Sequence, residues 1–308
     1  MAAGLFNPVV FKRLTPSWKA DEIIPYLNEV YAGLEKKLEI PFLFFVPIAK
    51  VLESENEMNQ WLNKKGSSEM NSFLGEISTE NIQGIDRQLS IGNVINSGYL
   101  DIKIFLEASL NFFKRKTAVL EEVFDFNALI SSSSPVYKGV VYDDIIFCEG
   151  FHVQQNPYFS FLPFKPVNGD VLTIRIPSYT YNKVLNKNFF LLPFANATYK
   201  LGATYNWNDL TFKPNEEAKL DLLKRLSAFV GGDIEVLSHE AGIRPSAEDR
   251  RPILGAHPTY KNIHIFNGLG TKGVMLAPYF AKQMGNYLVD GVAVDEEVSI
   301  SRYYHLQK

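Results

Sequence analysis

The stretch His239–Met284, HEAGIRPSAEDRRPILGAHPTYKNIHIFNGLGTKGVMLAPYFAKQM, holds a strand, a glycine-rich turn and the start of a helix, in that order. Lys261–Asn267 alternates polar and apolar residues and then turns apolar, which is strand patterning. Gly268-Leu269-Gly270-Thr271-Lys272-Gly273 follows at once, and Val274–Leu288 repeats apolar residues at helical spacing. The first N–H groups of a helix have no partner within it, and the helix dipole is positive at that end. Glycines allow a ligand to approach that end closely. The stretch is built to hold something electron-rich.

The hexapeptide satisfies G-x-G-x-x-G literally, and Asp290 lies about twenty residues further on, as in a dinucleotide fingerprint. That fingerprint needs a βαβ unit whose second parallel strand presents the acid. Only the acidic, polar tail Asp290–Lys308, DGVAVDEEVSISRYYHLQK, follows, and it does not suit the buried centre of a parallel sheet. Two readings remain: contact with a ligand ring or anion, and a plain structural turn. Upstream, Gly242-Ile243-Arg244-Pro245 places an arginine on constrained backbone. Its guanidinium can clamp a carboxylate through two parallel hydrogen bonds. The competing reading is a structural ion pair with Glu248 or Asp249.

Composition sets wide bounds. The 308 residues are 46% hydrophobic and 21% charged, enough apolar material for a large core and for one large domain or two interleaved ones. A net charge of −3 provides no basic field, so no nucleic-acid partner is indicated. The 23 Phe and 15 Tyr fit a strand-rich core or a flat apolar ligand slot. With Cys148 the single cysteine, no intramolecular disulfide can form. No apolar run is long enough to span a membrane, and the apolar-then-basic start MAAGLFNPVVFKR reverses a secretory signal, so a cytoplasmic location is expected. The five histidines lack zinc spacing, no G-x-S-x-G elbow occurs, and Cys148 reads as a core residue of an apolar strand rather than a nucleophile.

Along the chain, Ser17–Leu38 predicts one or two helices, with Pro25 in a first turn or at a break. Pro41–Val51 is strand-like and interrupted by Pro47, and Glu53–Asn63 is helical. Gly98–Asp101 leads into a helix to about Lys116, with Ile102, Phe105, Leu106, Leu110 and Phe113 on its core face. Val119–Phe126 alternates as a strand, and Gly139–Val141 and Asp144–Cys148 read as a strand pair. Asp170–Pro177, Asn188–Pro193 and Thr198–Thr204 predict antiparallel sheet. Asn215–Val230 predicts an amphipathic helix ended by Gly231-Gly232, and Ile234–Leu237 a strand.

AGIRPSAEDRRPILGAHP followed by NIHIFNGLGTKGVMLAP resembles the C-terminal signature of the flavin-dependent D-amino-acid oxidase superfamily, nearest its glycine and sarcosine oxidase-like branch. In order along the chain, AAGLFNP resembles the loop that passes the flavin, DDIIFCEG the "VVxAxG" strand, PFKPVNGDVL the "PxxPxxGxxL" entry to the substrate domain, and YKLGAT the "xxxGxT" strand. The family's N-terminal strand, G-x-G-x-x-G turn and helix, which grip the FAD pyrophosphate, have no counterpart in this sequence. The resemblance implies a mixed α/β (α+β) fold: a Rossmann-like FAD-binding domain, incomplete at its N-terminus, interleaved with an antiparallel substrate domain. The expected divisions are 1–22, 78–158 and 230–308 for the FAD-binding domain and 23–77 and 159–229 for the substrate domain.

The resemblance further implies that Ala3, Gly4, Leu5 and Gly150 pass near the flavin. Gly268, Gly270, Thr271, Lys272, Gly273 and Val274 would wrap its pyrimidine end. Arg244 would hold the substrate carboxylate, with Thr271 and Lys272 beside it; some glycine oxidases carry a second arginine clamp at the position of Thr271. The family's covalent flavins use a cysteine near the arginine motif, so non-covalent FAD is implied. The implied reaction oxidises the C–N bond of a small amino acid or N-substituted glycine to an imine by hydride transfer to the flavin, with O2 or another electron acceptor and no assigned catalytic acid or base. One alternative is the oxidase activity that trims carboxymethylaminomethyl-uridine in tRNA, whose G-x-G-S-R-G turn Gly268–Gly273 also resembles. The other is a truncated, non-catalytic flavoprotein-like module.

Overall fold

The computed structural model describes residues 3–194 and 196–307. Ala2, which heads the segment AAGLFNP, lies outside the described residues. The chain divides into two compact units: unit 1 is Met1–Phe112 with Asn168–Gly242, and unit 2 is Phe113–Val167 with Ile243–Lys308.

Unit 1 is built on an eight-stranded mixed sheet. Its strand order is Glu235–Arg244, Val167–Arg175, Thr198–Gly202, Phe190–Pro193, Val184–Asn186, Ile48–Leu52, Leu89–Val94 and Leu74–Glu80, the first and second strands each having residues at the boundary with unit 2. Most pairings are antiparallel, as the turn-rich sequence predicts, but Val184–Asn186 runs parallel to Ile48–Leu52. α1 (Ala20–Leu38) buries Ala20, Ile23, Ile24, Leu27 and Tyr31. α2 (Glu55–Lys65) starts at Ser54, whose side chain accepts from the Glu57 N–H, and inserts the fully buried Trp61. The Trp61 ring lies against Gly92, where a Cβ would come within 2.7 Å of it, so only glycine fits that strand position. Pro25 lies inside α1 rather than at a break, where it removes one helix donor.

The motifs PVNGDVL and YKLGAT meet on neighbouring strands in the register Val171↔Gly202. Thr204 Oγ1 accepts from the Asp170 N–H at 2.8 Å and donates to Asp170 Oδ2 at 3.0 Å. The buried Asp170 carboxylate also accepts from the Asn215 N–H at 2.9 Å, and its Oδ1 lies 2.8 Å from His239 Nε2. It therefore ties two strands to the start of α4 (Glu216–Ser227).

α3 (Ile102–Arg115) departs from the expected core face, because it has no buried residue. Phe105 packs beside Phe42 and Tyr31, but Leu106, Leu110 and Phe113 are 54%, 39% and 49% exposed. The helix periodicity is real, yet the second apolar side faces outward. Val119–Phe126 is not a strand: its segment is irregular up to a short 3₁₀ turn at Phe126–Ala128. Phe124 stacks on Tyr137 at 4.3 Å, so its ring packs without backbone pairing.

Unit 2 contains a three-stranded sheet ordered Ile145–Phe147, Ile263–Asn267, Ile253–Ala256. The first pair is parallel and the second antiparallel. Val140–Val141 pairs instead with Val136–Tyr137, so the two strands expected to pair with each other lie in different sheets. Ile253, Ile263, Ile265, Phe147, Phe159 and Ile300 form the core, and α5 (Gly273–Asp290) follows the central strand. The polar tail is anchored: Val298 and Ile300 are buried, and the Leu254 N–H donates to the Val298 carbonyl at 2.8 Å. Cys148 is exposed just beyond its strand, not a core residue, although desolvation and the neighbouring Glu149 charge still raise its thiol pKa. Among the described residues, no helix is long and apolar enough to cross a membrane.

Asp170→Ala removes a buried acceptor shared by three donors and should destabilise the protein by about 3 kcal/mol. Thermal unfolding reads this as a lower Tm; an unchanged Tm would show that the network is dispensable.

Candidate functional site

Parallel strands carry their C-terminal ends to the same side of a sheet. In unit 2, Ile145–Phe147 leads through Cys148 and Glu149 to Gly150, and Ile263–Asn267 leads directly to Gly268. Gly150 and Gly268 have φ of +58° and +76°, a left-handed conformation that favours glycine. A Cβ on Gly268 would come within 3.2 Å of the Arg251 carbonyl oxygen, so a side chain there would also crowd neighbouring backbone.

Asn267 joins the two turns. It is buried, its Nδ2 donates to the Gly150 carbonyl at 2.9 Å, and its Oδ1 accepts from the Gly268 N–H at 2.8 Å. The arginine motif reaches the same turn through its backbone. The Gly270 N–H donates to the Pro245 carbonyl at 3.3 Å, Ser246 and Leu269 form an isolated antiparallel bridge, and the Ser246 N–H donates to the Arg244 carbonyl at 2.9 Å. The structure thus assembles Gly150, Arg244 and Gly268–Gly273 within one unit. The carboxylates considered as ion-pair partners for Arg244 have other cations: Glu248 pairs with Lys165, and Asp249 with Arg302 at 2.9 Å.

A short 3₁₀ turn, Gly270–Lys272, runs into α5. Lys272 is the N-cap of α5 and supplies no side-chain cap. Thr271 is exposed, while Lys272 and Val274 are half-buried. Desolvation lowers the Lys272 pKa from 10.5 to about 8. Gly273 has helical φ, and a Cβ there would make only an ordinary contact at 3.8 Å, so its glycine is not sterically required.

Ala3, Gly4 and Leu5 belong to unit 1. There Gly4 has φ +83°, and a Cβ would lie 2.0 Å from the Leu100 carbonyl oxygen, so strand packing alone demands glycine. Leu5 pairs with Tyr99.

Sequence patterning missed Asn267, Glu149 and Asn156. The fully buried Asn156 donates from Nδ2 to Glu149 Oε2 at 2.6 Å. Desolvation raises the Glu149 pKa against the opposing effects of this hydrogen bond and of His152. The available signal was an asparagine closing the otherwise apolar strand end IHIFN just before a glycine.

The family model described as "FAD dependent oxidoreductase" (DAO) matches residues 112–286. The tRNA 5-methylaminomethyl-2-thiouridine biosynthesis bifunctional protein MnmC of Legionella pneumophila is 21% identical over 311 residues, covering 89% of this chain and 45% of that protein. Glycine oxidase of Bacillus licheniformis is 25% identical over 130 residues, 41% of this chain and 35% of the relative. The chain spans less than half the length of these curated relatives. The crystal structure of glycine oxidase from Geobacillus kaustophilus superposes with a TM-score of 0.75 at 19% identity, covering 95% of this chain and 84% of that one, which shows a shared fold.

Gly268→Ala should destabilise the protein by about 1–2 kcal/mol, whereas Gly273→Ala should have little effect on thermal unfolding. Equal effects would show that the turn does not depend on left-handed backbone. Lys272 also has a pH signature. Its folded pKa of about 8 lies below the ordinary 10.5, so the unfolded chain binds more protons between those values. Lys272 therefore contributes stability that rises with pH across that window. Lys272→Met should remove this contribution from denaturation curves, and identical wild-type and variant slopes would contradict it.

Proposed function

The chain belongs to the DAO family of FAD-dependent oxidoreductases, and we propose that it oxidises the C–N bond of a small amino acid or N-substituted glycine to an imine. It is an enzyme of the amino-acid-oxidase type, with FAD as its cofactor. The observation that carries the proposal is the tethering of the Arg244 segment to the glycine turn that opens α5.

The residues of unit 2 fit the ring end of FAD. Gly150, Gly268 and Gly270 are left-handed glycines, and α5 begins without a side-chain cap. Gly150, Gly268, Gly270, Thr271, Lys272, Gly273 and Val274 would hold the ring. Bound FAD supplies the two-electron acceptance that protein side chains lack. The α5 N-terminus and the Lys272 ammonium favour negative charge at the turn. Arg244 binds and orients the substrate carboxylate, and Lys272 adds a second positive charge for it. Substrate amine entering in its neutral form needs no protein base, so none is assigned. O2 or another acceptor completes turnover.

A second reading, oxidation of a carboxymethylated amine on tRNA, is supported by the likeness to MnmC across most of this chain and by Thr271-Lys272 standing where that turn has Ser-Arg. Turnover of free N-substituted glycines against none on the modified tRNA separates the two; the reverse pattern favours the second reading.

Arg244→Ala should raise KM for the amino-acid substrate on the order of 10- to 100-fold, the loss of a charge-assisted clamp. An unchanged KM would reduce Arg244 to a structural residue. Arg244 stays charged throughout the working pH range, whereas the Lys272 charge is present below about pH 8 and lost above it. Inhibition by a simple carboxylate without an amine should therefore weaken as pH rises through that value. Lys272→Met should abolish this limb; its persistence would exclude Lys272 from carboxylate binding.

A further inference from the structure

We propose that Asn267 is the positioning residue that locks the Gly150 and Gly268 turns into one cofactor-holding edge, and that FAD retention depends on its two-sided amide. The inference rests on the flavin reading above but concerns a residue which that reading leaves without a role.

Asn267 ends the strand Ile263–Asn267 on the same side as Ile263 and Ile265, which belong to the unit 2 core. It is 3% exposed. An apolar side chain would be the ordinary choice there, because a buried amide is unfavourable unless it is hydrogen-bonded. Its partners lie outside regular strand pairing: the carbonyl of Gly150, at 2.9 Å, and the N–H of Gly268, at 2.8 Å. Both glycines are left-handed, with φ of +58° and +76°, so the backbone at each turn leaves the strand direction. The chemistry of the partners fixes the amide orientation, since a carbonyl needs a donor and an N–H needs an acceptor. An amide meets both needs, while an ionised carboxylate meets only one. Asn267 therefore sets the spacing between two glycines from distant parts of the chain.

Glu149 strengthens the case for a built edge. Its carboxyl stands immediately before Gly150 and is held by the fully buried Asn156 at 2.6 Å. The Gly150 turn is thus braced on one side by Asn156 through Glu149 and on the other by Asn267. Loss of the Asn267 amide frees the Gly150 carbonyl and the Gly268 N–H together, so both turns lose their common reference even where the strands remain paired.

The test is FAD binding to the apoprotein, followed by flavin fluorescence and absorbance, with the Tm of each apoprotein measured alongside. Asn267→Ala should weaken FAD binding on the order of 10-fold or more. Asn267→Asp should match that loss at about pH 8, where its carboxylate faces the Gly150 carbonyl, and recover toward wild type as the pH is lowered, because burial against that carbonyl raises the carboxyl pKa and protonation restores a donor. The affinity ratio of Asn267→Asp to wild type should therefore change with pH, which a general loss of folding would not produce. An Asn267→Ala affinity equal to wild type, or an Asn267→Asp ratio independent of pH, overturns the proposal. Wild-type protein that binds no FAD overturns the flavin reading as well, and is distinguished because it fails before any variant is compared.

Discussion

The parallel pairing of Ile145–Phe147 with Ile263–Asn267 is the constraint on which the candidate site depends. Because both strands point the same way, their C-terminal ends emerge together, each into a left-handed glycine. The pairing converts two distant sequence motifs into one edge. α5 then brings its N-terminal end to that edge, and the Pro245–Gly270 and Ser246–Leu269 contacts attach the arginine segment to it. Backbone geometry builds this site first, and side-chain chemistry is added to it.

That order explains the electrostatics. Burial acts in opposite directions on the two ionisable groups at the edge: it lowers the Lys272 pKa to about 8 and raises that of Glu149. Each group is thereby pushed toward its neutral form. The helix start supplies positive potential with no proton to lose, and Arg244 keeps its charge throughout. The durable positive elements are therefore the backbone and the guanidinium, with Lys272 as an adjustable addition. A site arranged in this way suits an anionic substrate group beside a ring that gathers negative charge.

Much of this was legible in the sequence because it is local. Alternation in Lys261–Asn267, glycine spacing in Gly268–Gly273 and helical spacing after Val274 each depend on neighbours, and each corresponds to the observed element. Asp170–Pro177 and Thr198–Thr204, predicted as antiparallel sheet, do pair as antiparallel neighbours, with Thr204 donating to Asp170. What failed depends on distant packing. The apolar repeat of α3 is present, but periodicity does not say which side meets a neighbour, and Leu106, Leu110 and Phe113 face outward. Phe124 finds a ring to stack on, so its segment needs no strand pairing. Cys148 falls one residue beyond its strand and is exposed. Asn267 was hidden for a related reason: its meaning appears only when Gly150 is brought beside it.

The proposed function couples flavin chemistry to a carboxylate-bearing amine at the glycine turn. Anaerobic addition of glycine or an N-substituted glycine to the FAD-loaded protein tests it most directly. The visible flavin bands should bleach, with a rate that saturates in substrate concentration, and imine-derived product should appear in equal amount. Flavin bands unchanged by every carboxylate-bearing amine tried, free or carried on tRNA, would contradict it.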